Sequence, residues 1–430
     1  MRHPLLACLA VLALALSACA TPAADSTTTD ANDLLYVWTG DMDEAHPDFL
    51  AVIDAGRGSA TFGKVLSTVP VEGRGQWSHH TEYEFTPGRT LFASGWGTGS
   101  TFVFDLKDPL APRVANSFTT RGPYGFPHSY ARLPNGNVLA TFQTSGEGYR
   151  EPGGLVELTD EGEFVRGVSG VSPDVPRNET WTYSLLVLAD LDRVVVTNTR
   201  MGLVSEWKSM MQAAMDTSHH HVSQEVKSSH VQIFRLSDLA LLHTLRLPDN
   251  GSGQNAWTAE PRRLANGDVY VNTFSCGLFR IVGVGSDAPS VTPTFFSPYK
   301  EGSYCGVPVT IGNYWIQPSL ATERVIVSLN LSDPAKPREA SRLVLDSAFA
   351  GPHWIAADVA GSRIVVTSDE GAWVLIANVD AKTGALSLDE DFRDAGATRP
   401  GLNFDRVEWP HGAAGRAMPH GAVFGARARR

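Results

Sequence analysis

Short apolar runs rich in Val, Ile, Leu and Phe recur along the chain in pairs, and polar turns containing Gly, Pro, Asn or Asp separate them. Seven pairs are legible. They are LLYVWTG (34 to 40) with FLAVIDA (49 to 55), TLFASGW (90 to 96) with TFVFDL (101 to 106), and NVLATFQ (137 to 143) with GLVELTD (154 to 160). RVVVTNT (193 to 199) pairs with HVQIFRLSD (230 to 238), DVYVNTF (268 to 274) with GLFRIVG (277 to 283), YWIQPSL with RVIVSLNLSD within 314 to 333, and RIVVTSD with WVLIANVD within 363 to 380. Successive pairs begin 46 to 75 residues apart. That is the period of a β-propeller blade with loop insertions. No long helical periodicity recurs, which argues against a TIM barrel or a Rossmann sheet.

Internal repeats support the same reading. Arg132-Leu-Pro-Asn-Gly-Asn-Val138 returns as Arg263-Leu-Ala-Asn-Gly-Asp-Val269, an Asn-Gly turn leading into a strand. Asp108-Pro-Leu-Ala-Pro-Arg113 returns as Asp333-Pro-Ala-Lys-Pro-Arg338. The fold expected is therefore all-β, a seven-bladed β-propeller over residues 34–430, because radial repetition protects the strand edges that such a chain would otherwise expose. The widest step, in blade 4, holds one helix candidate, Ser205 to Met215, expected as an insertion. Between the signal-like first residues and Leu34 there is only a polar tether, so blade 1 lacks an innermost strand of its own. The C-terminal segment around Met418-Pro-His-Gly-Ala-Val-Phe424 is expected to supply it and close the ring.

Composition narrows the functions available. With 46 Asp and Glu against 35 Lys and Arg, the formal charge is −11, and no basic run occurs before the last residues. Nucleic acid is not an expected partner. Residues 1–18 read as a lipoprotein signal peptide: Arg2, an apolar run too short to span comfortably, and Leu16-Ser-Ala ahead of Cys19. Cys19 is the expected lipidation site and residues 19–33 a polar tether. This predicts a lipid-anchored protein of a bacterial cell envelope, with Ala20 favouring the periplasmic face of the outer membrane, held to the membrane by the anchor only. An ordinary secretory signal with an incidental cysteine is the alternative. Cys276 and Cys305 are either a disulfide or two buried thiols.

The histidines show a phase. His128 precedes the turn glycine Gly136 by eight residues, His353 precedes Gly361 by eight, and His80 precedes Gly88 by eight. These sit at the start of the innermost strands of blades 3, 7 and 2, the strands that line a central channel. Pro-His occurs at 127–128, 352–353, 410–411 and 419–420, whereas 13 His and 26 Pro in 430 residues give about one such pair by chance. If the C-terminus closes blade 1, its histidine joins the same arc. Converging neutral imidazoles suit copper, zinc, iron or nickel. The alternative is that each histidine caps a strand end through a hydrogen bond. His79 joins the set only if the backbone turns at His79-His80, because neighbouring strand residues face opposite ways. Glu82, on the side of His80, is expected to ligate or to support a ligand. His219-His220-His221 is read as a solvated loop, and His46, His230 and His243 as structural. Gly-x-Ser-x-Gly, P-loop and His-Glu-x-x-His motifs are absent.

Several segments together resemble the selenium-binding protein and methanethiol oxidase family. They are LLYVWTGD with DFLAVID, His79-His80 after a loop, Pro127-His128 before a turn, SSHVQIFRLSDLALLHTLRL, LSDPAKPR, Gly351-Pro-His, IANVDAKTGALSLDEDF and a histidine near the C-terminus. The resemblance implies a seven-bladed propeller and, for the oxidase members, a histidine-bound copper that converts methanethiol and dioxygen into formaldehyde, hydrogen sulfide and hydrogen peroxide. It maps the metal ligands onto His79, His80, His128 and either His411 or His420. Distance from the DEDF segment favours His411, and blade phase favours His420. His353 falls where the family more often has Gln. The cysteine-bearing segment linked to selenium is missing, since TEYEFTPGRT follows His80 here. The resulting expectation is a copper oxidase of a small sulfur-containing substrate, with another transition metal as a variant. A lipid-anchored propeller that binds a ligand or protein partner without chemistry is the alternative.

Overall fold

The middle strands of each expected blade read as unbroken apolar runs because both of their faces are covered by neighbouring sheets. A computed structural model describes residues 33–41, 43–201, 228–249, 251–297, 304–320, 324–349, 351–368, 371–406, 408–412 and 415–427. In it, these runs form seven antiparallel sheets. Blade 3 is typical, running outward from Tyr124–Arg132 through Val138–Ser145 and Glu151–Leu158 to Phe164–Ser169. Val138 to Thr144 are all buried, whereas Phe164–Ser169 at the rim alternates toward solvent. The chain is thus an all-β, seven-bladed propeller.

The innermost strands are Ser78–Thr81 in blade 2, Tyr124–Arg132 in blade 3, Thr182–Leu188 in blade 4 and Thr258–Arg263 in blade 5. Blade 6 supplies Tyr304–Cys305 with Val309–Ile311, and blade 7 supplies Pro352–Ala357. Each touches the next around the axis. Blade 1 consists of Leu34–Asp41, Phe49–Asp54 and Val65–Pro70, and its innermost strand is the C-terminal Gly415–Gly425, paired antiparallel with Leu34–Asp41. The last strand of the chain therefore closes the ring beside the first.

Apolar side chains between neighbouring sheets hold the blades together. Leu34, Tyr36, Trp38 and Leu50 of blade 1 pack on Leu91, Ala93, Phe102 and Phe104 of blade 2. On the other flank Leu35, Val37 and Phe424 meet Trp354, Val365 and Ile376 of blade 7. Both repeated Asn-Gly turns have the backbone that Gly permits, with φ of 89° at Gly136 and 90° at Gly267. The helix candidate Ser205 to Met215, the His219-His220-His221 run, the signal peptide and Cys19 lie outside the described residues. Among the described residues the helical elements are three short 3-10 turns, and no helix is long and apolar enough to cross a membrane.

Candidate metal centre

Every innermost strand carries one residue more than its partner at the same level of the channel. In blade 2, Ser78 faces Gly95 and Thr81 faces Ala93, so His79 and His80 together oppose Ser94. The equivalent doublets are His128-Ser129 in blade 3, Tyr183-Ser184 in blade 4, Ala259-Glu260 in blade 5 and His420-Gly421 in blade 1. Blade 7 has its shift at His353. Blade 6 has its shift in the stretch from Cys305 to Val309. A bulge bends the strand and re-aims its side chains. This is how adjacent residues, His79 and His80, both reach the centre.

The bulge leaves one N–H without a ladder partner, and a side chain from the second strand takes it. His80 N donates to Ser94 Oγ, Ser129 N to Thr141 Oγ1, Ser184 N to Thr197 Oγ1, and Glu260 N to Asn272 Oδ1, at 2.9 to 3.1 Å. These bonds make His80 the counterpart of Ser129. The blade 2 residue in phase with His128, His353 and His420 is accordingly His79. Counting back from the turn glycine selects His80 because the blade 2 hairpin is one residue longer between bulge and turn.

Five imidazoles converge. Ring centroids of His79 lie 4.3 Å from His80, 4.8 Å from His128, 4.5 Å from His420 and 6.5 Å from His353. His353 lies 4.8 Å from His420. One nitrogen from each of His79, His80 and His128 falls within a group no wider than 4.8 Å. All five residues are buried. Trp96 stacks on His79, and Tyr304 stacks on His353.

Hydrogen bonding assigns the lone pairs. His128 Nδ1 donates to Tyr183 O at 2.9 Å and His420 Nδ1 donates to His79 O at 3.1 Å. A neutral imidazole has one N–H, so both Nε2 atoms carry lone pairs. Both point at His79: His128 Nε2 is 3.1 Å from His79 Nε2, and His420 Nε2 is 3.1 Å from His79 Nδ1. A neutral His79 can donate to one of them only. Protonation would serve both, but burial, reinforced by His420, His128 and His353, holds the His79 pKa well below the usual imidazole range. Burial likewise pushes His128 down to about 3 and His80 well below the usual range. His80 Nε2, fully buried, has no hydrogen-bond partner. Neutral nitrogen donors that converge and lack protons to share fit a transition-metal cation.

Two expectations change. His411 stands apart, its Nδ1 2.7 Å from Thr68 Oγ1 and its ring against Phe49, because Pro410-His411 belongs to the approach to the closing strand on the outer flank of blade 1. His420, inside that strand, is the C-terminal histidine of the centre. Glu82 does not contact the imidazoles. Facing the seam with blade 3, it pairs with Arg132 (Oε1 to Nη2 2.6 Å) and accepts from Phe92 N at 3.1 Å. Ser129 and Tyr83 lie nearest His80 Nδ1 instead, at 3.0 and 3.4 Å. Glu260 and Arg262, also in the channel, escape sequence reasoning. A signal for the bulges does exist, since Ser94, Thr141, Thr197 and Asn272 each interrupt an apolar strand with a polar residue.

Cys276 and Cys305 form a disulfide, Cα to Cα 5.1 Å. It joins the turn after Val269–Thr273 of blade 5 to the innermost strand of blade 6, beside Tyr304. His230 lies buried in blade 4, 3.8 Å from a Glu179 oxygen.

No family model matches the chain. The chain is 33% identical over 146 residues to a methanethiol oxidase of Ruegeria pomeroyi, covering 32% of each protein. It is 32% identical over 154 residues to a methanethiol oxidase of a Hyphomicrobium species, covering 34% of each. The matching stretch thus spans about a third of these relatives. Among solved structures, a hypothetical selenium-binding protein from Sulfolobus tokodaii superposes with a TM-score of 0.67 at 14% identity, over 94% of this chain and 96% of that one. A periplasmic gluconolactonase of Pseudomonas aeruginosa gives 0.60 at 14% identity, over 92% and 99%. These two likenesses show the propeller fold. Over that third of its length the chain is similar in sequence to these methanethiol oxidases.

Proposed function

We propose that the protein is a copper-dependent oxidase of a small thiol, resembling methanethiol oxidase, with His79, His80, His128 and His420 holding the metal and His353 completing the ring of imidazoles. The observation that carries this reading is the pair of lone pairs, on His128 Nε2 and His420 Nε2, aimed at His79 from opposite sides. The likeness to two methanethiol oxidases supplies the substrate class.

A bound copper ion would lower the thiol pKa and exchange single electrons with dioxygen. The chain's own residues do the rest. Tyr183 O and the carbonyl of His79 fix two ring orientations, so little reorganises when a ligand arrives. Burial keeps the imidazoles neutral and available. Trp96 and Tyr304, stacked on His79 and His353, shield the ring from water and offer an apolar surface to a methyl group. In the overall reaction methanethiol and water give formaldehyde and hydrogen sulfide, releasing two protons and two electrons. Dioxygen takes up both to become hydrogen peroxide.

Elemental analysis tests the reading. Copper-loaded protein is expected to hold about one metal per chain and to release sulfide and peroxide from methanethiol, and His79→Ala is expected to do neither. Less than about 0.1 copper per chain after loading would remove the oxidase reading. It would leave the alternative, a propeller that binds a partner without chemistry.

The proposal extends to location: lipid attachment at Cys19, in a bacterial envelope and on the periplasmic face of the outer membrane. The sequence of residues 1–20 supports it. Cys19→Ser is expected to release the protein from membranes with its fold unchanged, and a variant that stays membrane-bound would end this part of the reading.

A further inference from the structure

Glu260 occupies in blade 5 the bulge position that His80 occupies in blade 2. It is fully buried. One carboxylate oxygen, Oε2, collects three donors: Ser184 Oγ at 2.6 Å, Tyr83 OH at 2.7 Å and Arg262 Nη1 at 3.0 Å. The Arg262 guanidinium also lies 4.0 Å over the Tyr83 ring, and Trp354 stacks on that same ring, 4.9 Å between centroids. Tyr83 is therefore held in place from two directions.

The consequence falls on His80. A phenol has one proton, and hydrogen bonds to a charged acceptor are about twice as strong as neutral ones. The Tyr83 proton accordingly goes to Glu260, and the phenol oxygen offers only lone pairs to His80 Nδ1, 3.4 Å away. Ser129 Oγ lies 3.0 Å from the same nitrogen and can accept. With the Ser129 hydroxyl proton turned to the Tyr83 oxygen, Nδ1 faces two acceptors and is held as N–H. The lone pair then resides on Nε2, the buried atom with no partner.

We infer that Glu260 is a positioning residue: by engaging the Tyr83 proton it holds His80 in the Nδ1–H tautomer, which leaves Nε2 free to bind a metal. The purpose of this device rests on the metal reading above. Its first observable, the tautomer in metal-free protein, does not.

The test replaces Glu260 and Arg262 together by Met, exchanging a buried ion pair for apolar side chains without leaving either charge unpaired. Long-range proton–nitrogen correlation spectra of protein labelled with 15N-histidine read the tautomer directly, with the His80 signal assigned by its loss in His80→Gln. The parent protein, free of metal, is expected to show Nδ1–H. In the Glu260→Met, Arg262→Met protein Tyr83 turns its proton to His80, the signal moves to Nε2–H, and Zn2+ affinity falls by about tenfold or more. Adding Tyr83→Phe removes the misdirected donor and brings the affinity back to within about threefold of the parent. A merely structural role would lower thermal stability without moving the tautomer, and Tyr83→Phe would restore nothing. His80 remaining Nδ1–H in the doubly substituted protein overturns the inference. Should that protein not fold, the parent spectrum decides, since Nε2–H there overturns it equally. If the tautomer switches as expected while the parent binds neither Zn2+ nor copper, the positioning stands and the metal reading fails.

Discussion

His79 Nε2 and His128 Nε2 stand 3.1 Å apart, each at the first position of the bulge in its own blade. The His128 proton is committed to Tyr183 O on the far side of its ring. The contact therefore needs either the one proton of His79 or a cation. Since His420 makes the same demand on the other nitrogen of His79, one proton does not suffice.

From this follows the behaviour of single substitutions. Replacing His79, His128 or His420 by Ala is expected to weaken copper binding by about tenfold or more. The double variants should be sub-additive, because the first loss already impairs the site. His411→Ala, remote from the centre, should bind copper like the parent. Competition with a chromogenic chelator measures all of these. Independent stability losses with unchanged copper uptake would instead make the histidines strand-end caps.

Because His420 lies on the strand that closes the ring, metal binding should tighten the closure. At a free metal concentration about one hundred times Kd, the folded state gains about 2.7 kcal/mol. The expected signature is a raised Tm together with slowed amide hydrogen exchange in Gly415–Gly425. A Tm rise with exchange in that strand unaltered would mean that the metal binds elsewhere.

Glu82 provides a contrast. Breaking its buried pair with Arg132 by Glu82→Gln leaves a guanidinium short of its partner, at a cost of about 3 kcal/mol, offset in part by Asp160. Copper affinity should stay within about twofold of the parent, well short of the loss expected for a group that supports a ligand. Denaturant unfolding and metal titration, run on the same variant, separate the two effects.

Asp48, which accepts from the Ser78 amide at 3.0 Å, gives a pH signature. Burial, helped by Asp41 and Glu44, raises its pKa to about 7 in spite of bonds from the Asp41 and Ser78 amides. The unfolded chain releases this proton near the ordinary Asp value of about 3.9. Between roughly pH 4 and pH 7 the unfolded state therefore binds fewer protons, and stability falls as pH rises. Asp48→Asn should flatten that part of the profile by a few kcal/mol in urea unfolding. An unchanged slope would show that Asp48 is already ionised in the folded protein.

Several features follow from the sequence alone. The seven paired apolar runs announce the propeller because a strand covered on both faces is largely apolar, as in Val138 to Phe142, where Thr141 is the one polar residue. Asn-Gly turns at Gly136 and Gly267 set the hairpins through local backbone preference. A spacing of eight residues to the turn places His128 and His353 at the channel, since strand rise is constant between the turn and that level.

What a constant rise cannot convey is a bulge. One extra residue in Ser78–Thr81 lets both His79 and His80 reach the centre, which a regular strand forbids, and only pairing with Thr90–Gly95 reveals it. The choice of His420 over His411 depends on which segment is drawn into the sheet beside Leu34–Asp41, a contact that spans nearly the whole chain. Glu260 and Tyr83 are 177 residues apart and meet only because closing the ring brings blades 5 and 2 to one channel. Local pattern determined the strands and their count. Which imidazole nitrogen carries a lone pair was decided by carbonyls and carboxylates contributed from other blades.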